Sequence, residues 1–141
     1  MNKDIKEEIW SYFQRMQVVF LATSDQGQAR VRPVTMLHFD KKLWVGTSTR
    51  AQKTRQVKQN NKAEFCLYLE EGKEKQGYIR GECLIDIIED KDIRKKLADQ
   101  MPYFKNFWKG YDDPEYTLMK FNVKQIEYLK PGALGIKKIV F

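Results

Sequence analysis

The fold class that the sequence predicts is mainly β in the α+β sense: an antiparallel barrel of six or seven strands with three short helices at its ends. Three observations predict it. β-branched and aromatic runs recur along the chain, and short polar turns separate them. The helix-like runs do not alternate with the strands as regular βαβ units, which argues against a parallel sheet. With 141 residues and a 42% hydrophobic fraction, the chain has the material for one core, so a single domain over 1–141 is expected.

The elements follow in order. Asn2 is placed to cap a first helix in which Ile5, Ile9, Phe13 and Met16 form a one-sided apolar stripe, with Lys3, Lys6, Glu7 and Glu8 mostly off it. Val18 to Thr23, VVFLAT, is a strand, and Ser24, Asp25, Gln26 and Gly27 turn the chain into a second one, Gln28 to Phe39. A turn at Asp40, Lys41 and Lys42 leads into Leu43 to Thr47. Gln52 to Asn60 is rich in helix formers and stops at Asn60 and Asn61, before the strand Ala63 to Glu70. Glu71 to Gly77 reads as a polar loop and Tyr78 to Ile88 as a strand. Asp90 caps a helix to Met101, which Pro102 ends. Tyr103 to Tyr116 is irregular and aromatic, TLMKFNV and IEYLK predict two more strands, and an apolar tail runs from Pro131 to Phe141. The tail and the aromatic loop exceed what the core needs, which points to a partner subunit.

Charge is the second informative property. From Gln26 to Ala63 the chain has nine basic side chains against Asp40 alone, a local +8, while the remainder has 17 basic and 18 acidic residues. The whole +7 excess is therefore local, which favours an anionic ligand and phosphate first. No apolar run approaches the roughly 20 residues of a membrane span, and the acids near the N-terminus do not suit a secretory signal. A soluble, cytoplasmic protein is expected. Cys66 and Cys83 lack metal-site spacing, His38 has no second histidine beside it, and both cysteines read as buried free thiols.

Within the basic stretch, RVRPVTML places Arg30, Arg32 and Val34 on one strand face and Val31, Pro33 and Thr35 on the other. Pro33 cannot donate to a ladder, so it belongs at an edge whose backbone is free to meet the donors and acceptors of a planar ring. WVGTSTRAQKTRQV then supplies Gly46 for close backbone approach, the hydroxyls of Thr47, Ser48 and Thr49, and Lys53 in the first turn of the next helix. Hydroxyls, helix N-terminal N–H groups and a lysine have the composition of a phosphate site. The competing reading makes Lys53, Arg55 and Lys58 a solvated helix face and Ser48 or Thr49 a simple cap.

The order of these motifs, VVFLATSDQGQARVRPVTML, LWVGTSTRAQKTRQV, KAEFCLYL and QGYIRGECLI, followed by WKGYDDPEYTLMKF, resembles the FMN-binding split-barrel family related to pyridoxamine 5′-phosphate oxidase, in particular its small stress-protein-like members. The resemblance covers most of the chain and implies an antiparallel split β-barrel that forms a homodimer with FMN at the subunit interface. It implies that Arg32 reaches the phosphate, that Pro33, Val34 and Thr35 read the flavin ring, and that Gly46, Thr47 and Ser48 lie near the ribityl chain and phosphate. Lys53 then neutralises the phosphate, and Gln76 contacts the flavin from the neighbouring subunit. Ala51 and Gln52 stand where many members have Ser and Arg, with Thr49, Arg50 or Arg30 as candidate replacements. The chain has no arginine after Arg94 and no histidine after His38, unlike the substrate-binding C-terminal segment of true pyridoxamine phosphate oxidases, which argues against that substrate.

Other candidates divide. His38 shows no triad pattern, Asp112 and Asp113 followed by Pro114 read as a turn, and Trp108 and Tyr111 either join the core or cover a flat ligand. The expected function is an FMN-dependent oxidoreductase, of flavin reductase or oxidase type, acting on a small molecule. Its rivals are a non-enzymatic flavin-binding or stress-response protein, a basic barrel for nucleic acid, which lacks an RNA-binding signature here, and haem or deazaflavin in the same fold.

Overall fold

Two tight hairpins set the sheet. Gln26 and Gly27 have φ of 53° and 87°, and Asp40 and Lys41 have 56° and 58°. Two successive left-handed residues make a turn whose twist matches that of the flanking strands. The first turn is therefore shorter than the sequence suggests, because Ser24 and Asp25 still pair with Ala29 and Gln28.

The computed structural model describes residues 4–141. Its elements are α1 (Ile5–Ser11), β1 (Met16–Asp25), β2 (Gln28–Phe39), β3 (Lys42–Ser48), α2 (Gln52–Gln59), β4 (Lys62–Glu71), β5 (Lys75–Ile87), α3 (Lys91–Asp99), a 3₁₀ turn (Phe104–Asn106), β6 (Tyr116–Leu129) and β7 (Lys137–Val140). The strand order is β3-β2-β1-β4-β5-β6-β7, and a further β3–β6 pairing closes the first six strands into a barrel. All pairings are antiparallel. The expected β-rich, antiparallel barrel with short helices is the observed fold.

Several boundaries differ for physical reasons. Asn2 lies outside the described residues, and the N-cap of α1 is Asp4, whose carboxylate accepts the Lys6 N–H at 3.0 Å. The helix ends at Ser11, so Phe13 is buried beyond it and Met16 opens β1. α3 stops at Asp99, short of Met101, after the expected cap at Asp90. The two strands expected between 117 and 130 are one strand, β6. Opposite Glu82 and Cys83 the register shifts so that Lys124 is an extra residue. A bulge of this kind reverses the inside–outside alternation midway, and a period-two reading takes it for a break. The seventh strand is β7 in the apolar tail.

Two cores result. Ile9, Leu21, Met36, Phe65, Ile79 and Met119 fill the barrel. A second core, with Trp44, Leu97, Met101, Phe104, Trp108 and Tyr116, joins α3 and the aromatic segment to β3 and β6. Arg94 ties that segment down, donating to the carbonyls of Tyr111 (3.0 Å), Asp113 (3.2 Å) and Tyr116 (2.9 Å). Cys66 and Cys83 are both free thiols, but only Cys83 is buried as expected; Cys66 is half-buried in β4. No helix among the described residues is long and apolar enough to cross a membrane.

Candidate functional site

The barrel splits beside β2. β2 and β3 pair only where Leu37–Phe39 meet Lys42–Trp44. Beyond that point β3 follows β6 while β2 stays on β1, with Pro33 opposite Phe20. Proline contributes no N–H to the unpaired edge, so the gap leaves one fewer donor without a partner. The gap is a cleft of ≈ 490 Å³ lined by Pro33, Val34 and Thr35 of β2, Val45 to Ser48 of β3, Lys53 of α2, and Tyr103, Phe107 and Trp108. That volume suits a small-molecule site.

One end of the cleft is positively charged. After β3 the chain turns back, the Ala51 N–H and the Thr54 hydroxyl both donating to the Ser48 carbonyl (3.1 and 2.8 Å), and α2 begins. Its N-cap is Ala51, which offers no side-chain acceptor, and its first turn holds no acid. Ser48 and Thr49 are thus not the cap. The backbone N–H groups of Gln52 and Lys53 have no protein acceptor among the described residues, which leaves the positive end of the helix free to meet an anion.

Lys53 is half-buried with no carboxylate partner among the described residues. Burial pushes its pKa down, and the neighbouring Arg32 charge pushes the same way. Arg32 is itself held below its ordinary value by burial and by Arg30. Its guanidinium is fixed by neutral groups, donating to Thr23 Oγ1 and to Gln56 Oε1 at 2.7 Å each. The Thr23 hydroxyl also donates to Gln56 Oε1 at 2.6 Å, and Gln56 is fully buried. Two cations are therefore held close together in partly buried positions without a counterion among the described residues.

The remaining expected residues fall as follows. Arg30 is exposed and within 3.9 Å of Asp25, Arg50 pairs with Glu115 at 3.3 Å, and the Thr49 hydroxyl donates to the Pro114 carbonyl at 2.6 Å. These three candidate replacements are thus engaged elsewhere. Gln52 is exposed and does not line the cleft. Gln76 is exposed at the start of β5, opposite Glu70, and does not line the cleft of its own subunit. Gly46 lines the cleft, but a Cβ there would meet the Met101 side chain at 2.5 Å, so its missing side chain makes room for the second core as well.

Trp108 is buried in the second core and also lines the cleft. Tyr111 does not line the cleft. His38 stacks on Trp10 at 5.7 Å and meets Phe13 edge-on, a packing position. Asp113 accepts the N–H groups of Lys109 and Glu115 at 2.9 Å each, which holds its carboxyl below the usual range and makes the turn.

Sequence reasoning missed Tyr103 and Phe107, although the density of aromatics around them was the available signal. It also missed Thr23 and Gln56. Nothing in the sequence marks those two, because their role exists only where β1, β2 and α2 meet.

A family described as "Pyridoxamine 5′-phosphate oxidase like" matches residues 4–138. Among solved structures, General Stress Protein 26 from Bacillus anthracis is similar at 23% identity, with 99% of this chain and 100% of that one covered and a TM-score of 0.78. A putative pyridoxamine 5′-phosphate oxidase from Listeria innocua is similar at 20% identity, covering 89% and 98%, with a TM-score of 0.74. A heme binding protein from Mycobacterium smegmatis is similar at 14% identity, covering 99% of this chain and 59% of that one, with a TM-score of 0.82. At these identities the likeness is one of fold. No curated protein matches the chain in sequence.

Proposed function

The chain belongs to the pyridoxamine 5′-phosphate oxidase-like family, and we propose that within it the protein is a homodimeric FMN-binding flavoprotein, an oxidoreductase acting on a small molecule. The observation that carries this reading is Lys53, which lines one end of a cleft walled by aromatic rings, with Arg32 close behind it, neither paired with a carboxylate among the described residues, and with the free N–H groups of α2 beside them. Such a site suits a flat ligand with one phosphomonoester.

Bound FMN would supply the electron-transfer chemistry. The protein's own groups bind and orient. Lys53, Arg32 and the N–H groups of Gln52 and Lys53 hold the phosphate by charge-assisted hydrogen bonds, with Thr47 and Ser48 beside them. The free edge of β2 at Pro33, Val34 and Thr35 meets the polar rim of the ring, and Phe107 and Trp108 exclude water from it.

The partner subunit follows from the outer face of the same strands. Val18, Phe20, Val31 and Tyr68 are 59%, 47%, 69% and 49% exposed. Phe20 pairs with Pro33 and Val18 with Thr35, so this apolar face is continuous with the cleft wall. A second copy packed there would bury it and cover a ring seated in the cleft, which is where Gln76 of the partner would enter.

The heme binding neighbour motivates a second reading. Against it, the residues lining the cleft include no His, Cys or Met, the one tyrosine there, Tyr103, is kept protonated by burial and so is a poor iron ligand, and His38 is packed against Trp10 and Phe13. The visible absorption spectrum of the protein titrated with FMN and with haemin tests the proposal. Saturable FMN binding with a flavin spectrum is expected, and a haem spectrum without flavin binding would overturn it. Consumption of NADH or NADPH by the loaded protein separates an oxidoreductase from a flavin-binding protein without turnover.

A further inference from the structure

Among the described residues, one buried side-chain polar atom has no hydrogen-bond partner, and it is the hydroxyl of Tyr103. Folded proteins leave very few buried polar atoms unpaired, because the loss of water is then uncompensated. Nearby polar aromatics obey that rule: the Tyr116 hydroxyl donates to the Arg94 carbonyl at 3.2 Å and the Trp44 indole to the Phe39 carbonyl at 3.0 Å. Tyr103 departs from it while lining the same cleft as Lys53, Thr35 and Gly46.

The side chain has little freedom to turn away. Its neighbours Met101 and Phe104 are buried in the second core, its own carbonyl accepts the Asn106 N–H at 3.0 Å, and its ring meets Phe107 edge-on at 6.2 Å. Burial also raises the phenol pKa, so the group stays protonated and can donate. A donor held without an acceptor at the wall of a binding cleft is paired when the ligand is present.

We propose that Tyr103 is a further ligand-binding residue, whose hydroxyl donates a hydrogen bond to a carbonyl or ring-nitrogen acceptor of the bound flavin ring. The inference rests on the FMN reading above. It assigns the hydroxyl to the ring because the phosphate oxygens already have Lys53 and the α2 N–H groups, whereas Tyr103 stands with Phe107 and Trp108, whose flat faces suit a ring. A donor at that rim favours negative charge on the ring, as in an oxyanion site, and so raises the flavin's reduction potential.

Tyr103→Phe removes the hydroxyl and keeps the ring. Without flavin, the variant is expected to melt at or above the wild-type temperature, because an unpaired buried hydroxyl has been removed. With flavin the sign reverses: dissociation constants for FMN and riboflavin rise by the same factor, about tenfold, and the reduction potential falls. A lower melting temperature without flavin would show that the hydroxyl is bonded within the protein, and would overturn the proposal. Wild-type affinity for both flavins, in a protein that binds FMN, would overturn the Tyr103 assignment alone. A loss confined to FMN would move the hydroxyl to the phosphate and overturn the ring assignment. Failure of the wild type itself to bind FMN would overturn the cofactor reading and this one together.

Discussion

Gln56 holds Arg32 in place: its buried side-chain oxygen accepts from the guanidinium at 2.7 Å and, at 2.6 Å, from the hydroxyl of Thr23. Gln56 also reaches toward Asp25, with Nε2 at 3.5 Å from the carboxylate, so the acid stands behind the amide and not on Arg32 itself. The guanidinium is thereby oriented by neutral groups, and its charge remains available to a ligand. Residues of β1, β2 and α2 thus together fix one cation of the proposed phosphate site.

Replacing Gln56 by Met keeps the volume but removes the two short hydrogen bonds to its oxygen and the longer one from its Nε2 to Asp25. Unfolding stability should fall by about 1–3 kcal/mol, since Arg32 and Thr23 lose a buried partner. FMN affinity should fall while riboflavin affinity barely changes, because Arg32 addresses the phosphate. Denaturant melts together with paired flavin titrations check this, and an equal loss for both flavins would contradict the assignment.

Lys53→Ala should weaken FMN binding by about 1.5–3 kcal/mol, on the order of tenfold to a hundredfold or more. Lys58 lies on the same helix but does not line the cleft, so Lys58→Ala should bind FMN as the wild type does and change stability by no more than roughly 0.5 kcal/mol. Fluorescence titration of the three proteins decides it. Identical dissociation constants would return Lys53 to a solvated helix face.

The lowered pKa of Lys53 gives a pH dependence with a definite sign. Between that lowered value and the ordinary lysine value, the unfolded chain holds a proton that the folded, flavin-free protein has released, so stability without FMN rises with pH in this window. A bound phosphate favours the charged lysine and reverses the shift. FMN should therefore bind best below the lowered pKa and progressively less well as pH rises through it. Titrations across the alkaline range should show this slope in the wild type and a flatter one in Lys53→Ala.

Light scattering should give a mass about twice 16.8 kDa. Phe20→Glu places a charge on the exposed apolar face without disturbing the barrel interior, so it should yield a folded monomer with weakened FMN binding. A monomeric wild type that still bound FMN tightly would show the site to be complete within one chain.

Burial pushes the Cys83 thiol up to about 12 and also raises that of Cys66. With so little thiolate near neutrality, Cys83 should resist a thiol reagent in the native protein and Cys66 should react slowly. Both should react at once in denaturant. Fast native modification of Cys83 would contradict its place in the core.

The sequence by itself determined the features that depend on near neighbours. β2 runs from Gln28 to Phe39 in both readings, the hairpin turns fall at Gly27 and Asp40, and Pro33, Thr47, Ser48 and Lys53 are legible as a strand edge, a strand exit and a helix start. Strand alternation, left-handed turn residues and helix propensity all act within a few positions. Tertiary structure decided the rest. The continuity of β6 across its bulge depends on β5, the freedom of the β2 edge depends on where β3 departs, and the hydroxyls of Thr49 and Tyr103, similar in sequence terms, have opposite fates. Thr49 finds the Pro114 carbonyl, whereas Tyr103 finds no acceptor among the described residues. Which polar atom loses water, and whether anything replaces it, is settled by segments that meet only on folding, and no local pattern contains that information.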